Sequence, residues 1–458
     1  MQTAEQAPGS AAAGPDVRPR RKLLIVSPHF PPINAPDMQR VRMSLPYYAA
    51  NGWDPVVLAV CPADVAATRE PELCATYPAS IRVMLVRAWS QRWTRLIGVH
   101  SLGLRASWPL LVAGTRLLRR ERFDLVFFST TQFITFTLGL YWRRRFGTRF
   151  VIDIQDPWRT DYYERPGAPV PPGGIKYQFA RLLALLFEEK TYRRASGFIS
   201  VSARYFSDLA QRYPWFGAKP QRTICFGTTA SDLALVKSGA VGGPADDRMP
   251  GEIRFVYTGA AGPIMPHALN VLFGALQSYR ARVSGAERFR FHFLGTSYVA
   301  KGMGHQSVLP VAKTWKVDDL VFSVPHRIGY FESLKSLLTA DALLLLGSSD
   351  PAYSPSKLYP YYLSGKPMLS VVFRDSYLIG LLTELDCSLI APFALDAPCD
   401  AAHAAIHRFF DQALAGFPPA MLPQRNDTLF TRAYLAEVLT ARQCELFEQV
   451  LAGDRANG

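Results

Sequence analysis

The chain has 458 residues, of which 49% are hydrophobic and 19% charged. This composition supports ordinary buried cores and excludes a largely disordered or fibrous protein. At about 100–200 residues per domain the length points to two or three domains, and the net charge of +14 asks for an acidic partner: nucleic acid, an anionic membrane or a phosphorylated ligand.

The cysteines, Cys61, Cys74, Cys225, Cys387, Cys399 and Cys444, are scattered, with no C-x-x-C and no metal-ligand grouping. A reduced, cytoplasmic setting and no metal site are therefore expected. The opening "MQTAEQAPGSAAAGPDVRPRRK" lacks the apolar core of a signal peptide, and residues 1–20 are expected to form a disordered tail. The most apolar run, "VFFSTTQFITFTLGLYW" (Val126 to Trp142), is too short and too rich in Ser, Thr and Gln to span a bilayer.

In chain order, "KLLIVSPHF" (Lys22 to Phe30) reads as a buried strand that breaks in "SPHFPPINAPD", followed by the helically spaced "MQRVRMSLPYYAANG" with its Gly stop. The strand "WDPVVLAV" and the strand "IRVMLVRAW" follow. From Arg82 to Arg122 nine arginines face a single acid, Glu121, with Trp89, Trp93 and Trp108 among them. Arginine and tryptophan on a helix that also carries Leu, Ile and Val suit an interfacial helix, so Trp89, Arg92, Trp93, Arg95 and Trp108 are candidate contacts to an anionic membrane. A solvated basic face with inward tryptophans is the alternative. No nucleic-acid module is recognisable, so nucleic acid is not expected as a partner.

The alternation continues through "FDLVFFS", "QFITFTLGLYWRRRFG", "RFVIDIQD", the long helical "IKYQFARLLALLFEEKTYRRA" and "GFISVS". Strands alternating with helices mean a parallel sheet with crossover helices. "KSGAVGGPADDRMPG" (237–251) reads as a linker. The pattern then restarts with "IRFVYTGAAG", a helix, "RFRFHFLG", "DLVFSVPH", "YFESLKSLLTA", "ADALLLLGS", the tyrosine-rich "SPSKLYPYYLSGKPML" and a helical C-terminus. The expected architecture is α/β, with two doubly wound, Rossmann-like domains facing across a cleft (21–236 and 252–426) and a C-terminal helix of about 427–453 packing back on the first.

Four segments carry a family resemblance. "LLIVSPHFPPINAPDMQRVRMSLPYYAANGWDPVVLAV", "FVIDIQDPWRTD", "FVYTGAAG" and "ADALLLLGSSDPAYSPSKLYPYYLSGKPMLSVV" are similar, in order and spacing, to the opening segment, the acidic strand end, the glycine turn and the "A-D…P-S-K…G-K-P" segment of retaining, family-4-like GT-B glycosyltransferases. The resemblance implies transfer of a sugar from a nucleotide diphosphate sugar, used as co-substrate with no further cofactor, to a glycan or lipid-linked acceptor in bacterial surface polysaccharide synthesis. It implies retention of configuration without a metal, with residues 21–236 on the acceptor side and 252–426 holding the donor. The basic tryptophan segment adds a membrane-associated, lipid-linked acceptor, and with it a cytoplasmic protein peripheral on the inner face of the plasma membrane is expected.

For the donor it implies Asn34 in the first loop, Thr258, Gly259 and Gly262 at the glycine turn, and Pro325, His326 and Arg327 at the base. A short helix after Ser354 or Ser356, with Lys357 adding a cation, would meet the diphosphate. Asp156, following an apolar strand at its carboxyl end, is the candidate catalytic carboxylate, with His29 beside it; Asp37, Arg40 and Trp158 are candidates on the acceptor side. Two glutamates of many relatives align with Ala352 and Pro360, a departure that leaves a catalytically silent nucleotide- or glycan-binding scaffold as the alternative function.

Overall fold

The computed structural model describes residues 20–160, 174–241, 248–261, 265–297, 306–350 and 356–453. The first sheet contains β1 (Arg21–Val26), β2 (Trp53–Val60), β3 (Arg82–Val86), β4 (Leu125–Ser129), β5 (Arg149–Ile154), β6 (Gly197–Ser200) and β7 (Gln221–Thr223). All seven run parallel in the order β3-β2-β1-β4-β5-β6-β7. Every residue of β4 and the last four of β1 are buried, as expected of strands covered by helices on both faces.

Around this sheet lie α1 (Gln39–Ser44), α2 (Gln91–Thr94), α3 (Leu102–Arg120), α4 (Leu138–Phe146), α5 (Ile175–Arg194) and α6 (Ala203–Arg212), and α7 (Ala230–Lys237) follows β7. The first of these is shorter than its apolar spacing predicts. Pro46 follows one residue after Leu45, and a proline with no N–H cannot extend the ladder.

The second sheet contains β8 (Ile253–Thr258), β9 (Phe289–Leu294), β10 (Val321–Val324), β11 (Ala342–Leu346), β12 (Met368–Phe373) and β13 (Leu389–Phe393). Its order, again parallel, is β10-β9-β8-β11-β12-β13. Its helices are α8 (Pro266–Arg280), α9 (Leu309–Thr314), α10 (Tyr330–Thr339), α11 (Leu358–Ser364), α12 (Leu378–Leu385) and α13 (Asp400–Leu414). In each sheet the winding reverses beside the first strand, between β1 and β4 and between β8 and β11. Crevices at the carboxyl ends of strands open at such points.

The C-terminal segment is two helices, α14 (Asp427–Tyr434) and α15 (Ala436–Ala452), separated by an extended Leu435 at φ −75° and ψ 143°. The break lets the chain change partners. On α14, Phe430 stacks on Tyr362 with ring centroids 4.0 Å apart and Tyr434 stacks on Tyr359 at 5.1 Å, both on the second domain. On α15, Phe447 packs against Trp53 at 5.4 Å and Phe127 at 5.2 Å in the first. Gln443 fixes the register by accepting from the Tyr48 hydroxyl and donating to the Ser44 hydroxyl. Earlier in the chain α7 lies against α10 and α11, so the chain crosses between domains near Thr228 and again at Leu435, which pair as a parallel bridge.

The helix layer of the first domain is packed to contact at Gly114 of α3, where an added Cβ would overlap the Trp142 ring of α4. That ring cannot swing away, because its indole N–H donates to Thr115 Oγ1 at 3.1 Å and its faces are buried. Gly114→Ala should therefore cost about 1–3 kcal/mol by overpacking, read as a lower urea midpoint at unchanged slope. A midpoint equal to that of the wild type would mean that the two helices are not in contact there.

Candidate active site

The first wall of the cleft is built from the carboxyl ends of β1, β4 and β5. Inside it, Asp153 of β5 is fully buried and bonded to Arg40 Nε at 2.8 Å, the Ser129 hydroxyl at 2.8 Å and Gln155 Nε2 at 2.9 Å. Arg40 turns inward for this, giving its other nitrogens to the carbonyls of Ile224 and Cys225. The expectation that Arg40 faces the acceptor is thereby corrected: a guanidinium on a short helix beside a buried carboxylate is drawn in by the charge.

One layer outward, the Asp37 carboxylate accepts from Thr130 Oγ1 at 2.8 Å, from the backbone N–H and hydroxyl of Thr131, and lies 2.8 Å from His29 Nδ1. Burial alone would raise this carboxyl, but the His29 interaction and the threonine bonds outweigh it and hold Asp37 below the usual range. Asp37 is 3% exposed and acts as a strut that orients His29, which is half-buried. Trp158, an acceptor-side candidate, is half-buried, stacks on Phe133 at 6.1 Å and meets Phe136 and Tyr192 edge-on. Its indole anchors the loop after β5 to the core, a large apolar gain that a loop position does not advertise.

Asp156 is the carboxylate this wall presents to the cleft. Its side chain is accessible to solvent, yet the protein around it, and secondarily the charge of Asp37, push it up to about 6. Tyr205 lies beside it, and the negative charges of Asp156 and of Asp350, beyond β11 on the second wall, both act on its phenol. The two walls approach each other here.

The second wall centres on the turn after β8. Gly259 has φ +98°, and a Cβ there would stand 3.4 Å from Lys357 Nζ; glycine gives the ammonium room and adopts the left-handed backbone without strain. Lys357 donates to Tyr257 Oη at 2.5 Å and sits over that ring 3.9 Å from its centroid. Part of its stem reaches the surface, but the ammonium itself is enclosed, and loss of hydration pushes it down to about 7. Tyr361 receives the Thr258 N–H on its hydroxyl at 2.7 Å and so braces the same turn from below.

The tyrosines of the "SPSKLYPYYLSGKP" stretch thus do structural work. Tyr361 holds the turn that Lys357 reaches, while Tyr359 and Tyr362 receive α14. Ser356 is exposed just before α11, whose first residue is Leu358. Gly262 and Ser354 lie outside the described residues, as does Ala352.

Near the base loop the two walls touch. Arg327 Nη2 donates to Asn34 Oδ1 at 2.7 Å, Asn34 Nδ2 donates to Glu70 Oε2 at 2.9 Å, and Glu70 accepts the backbone N–H groups of Tyr330 and Phe331 at 2.7 and 2.8 Å. A carboxylate from the first domain therefore caps the amino end of α10 in the second. Burial pushes Glu70 above the usual range despite those bonds. The structure brings Asn34 and Arg327 together as two expected donor contacts, but in contact with each other; Pro325 accepts from the Ser297 hydroxyl at 2.6 Å, and His326 is half-buried beside it. Glu70, Tyr257, Thr130 and Tyr205 were not expected. Tyr257 adjoins the quoted glycine turn and was findable there, whereas Glu70 is one acid in an undistinguished loop.

The candidate membrane residues stand apart from the cleft walls. Trp89, Trp93 and Trp108 are 52%, 74% and 59% exposed, with Leu96 at 77% among them, and Arg92 and Arg95 are exposed beside them. The alternative of inward tryptophans is excluded. Among the described residues no helix is long and apolar enough to cross a membrane, and no group of His, Cys, Asp and Glu is placed to hold a metal ion.

Residues 39–227 match the family model described as a glycosyl transferase 4-like domain. No curated protein matches the chain. Among solved structures, sucrose-phosphate synthase from Thermosynechococcus elongatus is similar at 13% identity, with a TM-score of 0.59 over 95% of this chain and 100% of that one. HepE of Anabaena, solved with UDP and glucose, gives 13% identity and a TM-score of 0.57 over 94% of this chain and all of that one. A UDP-forming α,α-trehalose-phosphate synthase from Burkholderia xenovorans, solved with glucose-6-phosphate, gives the same identity, TM-score and coverage. The doubly wound sheets facing across a cleft, together with these matches, place a glycosyl transferase 4-like domain in this chain, within a GT-B fold.

Proposed function

We propose that the protein is a glycosyltransferase that moves a sugar from a nucleotide diphosphate sugar to a glycan or lipid-linked acceptor in bacterial surface polysaccharide synthesis, with retention and without a metal. The observation that carries this reading is the enclosed Lys357 ammonium at the Gly259 turn, on the wall opposite Asp156. A diphosphate lodged at that turn would meet a cation stripped of water, where its charge acts most strongly. Asp156, once ionised, is the acceptor-side carboxylate that receives the hydroxyl proton or stabilises positive charge developing on the sugar. Positioning and leaving-group electrostatics supply the rate.

Lys357 gives the donor site a pH signature. In the free protein it titrates near 7; bound phosphates favour the ammonium and raise that value. Binding then takes up a proton above pH 7, so affinity is flat below that value and falls as pH rises through it, by at most about tenfold per unit. Ligand-observed NMR titrations with UDP, GDP, ADP and CDP sugars should show one base bound with this profile. Lys357→Ala should weaken it by about tenfold to a hundredfold and remove the pH dependence. A pH-independent affinity unaffected by the substitution would sink the donor assignment.

Asp156 supplies the second signature. With its carboxyl near 6 in the ligand-free protein, kcat/KM for the donor should show a limb that rises with pH through that value. Asp156→Asn should abolish that limb and lower kcat by about 10²–10⁴ while donor affinity stays the same. Saturable donor binding by wild type with no turnover of any acceptor would instead favour the catalytically silent scaffold, the reading to which Pro360, in place of a glutamate, lends support.

The exposed Trp89, Trp93 and Trp108 with Arg92 and Arg95 support an anionic membrane surface as a partner, on the inner face of the plasma membrane. Vesicles containing phosphatidylglycerol should sediment the wild type, and Trp89→Ala with Trp93→Ala should weaken this several-fold. Equal sedimentation of both would move the contact elsewhere.

A further inference from the structure

At the opposite end of the first sheet from the cleft, beside the amino ends of β1, β4 and β5, lies an open cavity of about 650 Å³. That volume falls within the usual range for small-ligand sites, roughly 300–1,000 Å³. Arg21, Arg119, Arg120, Arg122 and Arg149 contribute to its lining, with Glu121, Asp124 and Glu448 as its acids.

Each acid is already engaged. Glu121 pairs with Lys22 and Arg82, both at 2.7 Å, Asp124 accepts the Lys22 backbone N–H at 2.8 Å, and Glu448 pairs with Arg21. Arg149 is spent on the carbonyls of Val450 and Leu451 at the end of α15. Arg119, Arg120 and Arg122 are exposed and make no ion pair or hydrogen bond among the described residues, and Arg144 and Arg145 of α4 are exposed close by. Arginines at the end of a helix complement its dipole, which accounts for a cation near the last turn of α3. It does not account for three unpaired guanidiniums gathered on a ligand-sized hollow where two of the three acids are paired with cations and the third, Asp124, accepts a backbone N–H.

We propose that this cavity is a second anion site, separate from the cleft, that takes a phosphate-bearing ligand. The guanidinium is a planar fork that bonds phosphate oxygens two at a time, and three of them on one rim discriminate a multiply charged phosphate from a single small anion. The phosphate has two possible sources with the same chemistry, a soluble phosphorylated compound or the headgroups of an anionic bilayer.

The test uses the full chain and inorganic tripolyphosphate as probe, followed by ³¹P NMR and calorimetry. In Lys357→Ala, the cleft variant, a site for the probe should remain. The triple variant Arg119→Ala, Arg120→Ala, Arg122→Ala should lose that site by at least about tenfold, three charge-assisted contacts being gone; its circular dichroism should match wild type, because all three side chains are on the surface. A second arm adds vesicles of phosphatidylcholine and phosphatidylglycerol. Displacement of the probe from the Lys357→Ala protein by these vesicles, lost with neutral ones, assigns the site to headgroups; no displacement assigns it to a soluble phosphate. Equal probe affinity in the triple variant and wild type, or probe binding that disappears with Lys357→Ala alone, or no binding at all, overturns the proposal.

Discussion

The placement of the two walls depends on one buried ion pair. Arg42 of α1 and Asp232 of α7 share two hydrogen bonds at 2.7 and 3.1 Å, with both side chains almost completely withdrawn from solvent. Tyr330, the first residue of α10, donates its hydroxyl to Asp232 at 2.7 Å and lies against the guanidinium, 4.8 Å from its ring centroid. Stripping water from two ions costs several kcal/mol each and is offset only when geometry and hydrogen bonds are nearly complete. Here they are: Arg42 Nε also finds Gln39 Oε1 at 2.8 Å. A helix of each domain and the crossing helix between them are therefore held to one arrangement, since sliding any of them would leave a bare charge inside.

From that arrangement the contact at the base loop follows. Because Tyr330 is pinned by Asp232, the amino end of α10 is carried to Glu70, and Arg327, three residues earlier, to Asn34. These groups bond to one another across the domain contact. A nucleotide that used Arg327 or the loop at Pro325 would have to exchange a protein contact for a ligand contact, so occupancy of that loop is coupled to how the domains meet. Lys357 and Asp156 are arranged differently. Neither is bound to the opposing wall by a hydrogen bond or ion pair among the described residues, and both have their charge state pushed toward neutrality by their surroundings. The groups that fix the cleft are engaged with one another, and the groups at its floor are poised to gain from an ionic ligand.

The sheets were legible in the sequence because their strands are short apolar runs such as "KLLIV", "LVFF" and "LLLL", buried on both sides and punctuated at the carboxyl end by Gly, Ser or Asp. The restart of that pattern after residue 251 gave the second domain. Asp156 and Lys357 were legible too, as polar residues at strand ends where a doubly wound sheet collects ligands. The internal partners of Arg40 and Trp158 were not legible for a common reason: nothing local shows that a polar or amphipathic side chain beside a strand end has an internal partner, and Asp153 and Phe133 are about a hundred and about twenty-five residues removed. Glu70 was invisible because its role exists only when α10, far along the chain, arrives over it. The break at Leu435 was missed because "TLFTRAYLAEVLTARQC" has unbroken helical spacing; the interruption is imposed by tertiary exchange of partners, which propensity does not record.

The charge surplus can also be placed. The arginines and acids at the cleft and at the domain contact are largely paired, so the excess of +14 falls on the outer surface, and α3 carries a notable share of it. Its buried residues, among them Leu102, Ala106, Leu110, Leu117 and Leu118, fall on the sheet side, whereas Trp108, Arg116, Arg119 and Arg120 are exposed. At about 100° per residue Arg119 falls within about 20° of Trp108 around the helix axis, with Arg116 and Arg120 farther round on the exposed side. One helix therefore joins the exposed tryptophans near its start to the arginine-lined cavity at its end. Because α3 runs back from the carboxyl ends of the strands to their amino ends, the tryptophans stand toward the cleft end of the first sheet and the cavity at the far end, where an anionic ligand can be held without obstructing the approach of a donor to Lys357 on the other domain.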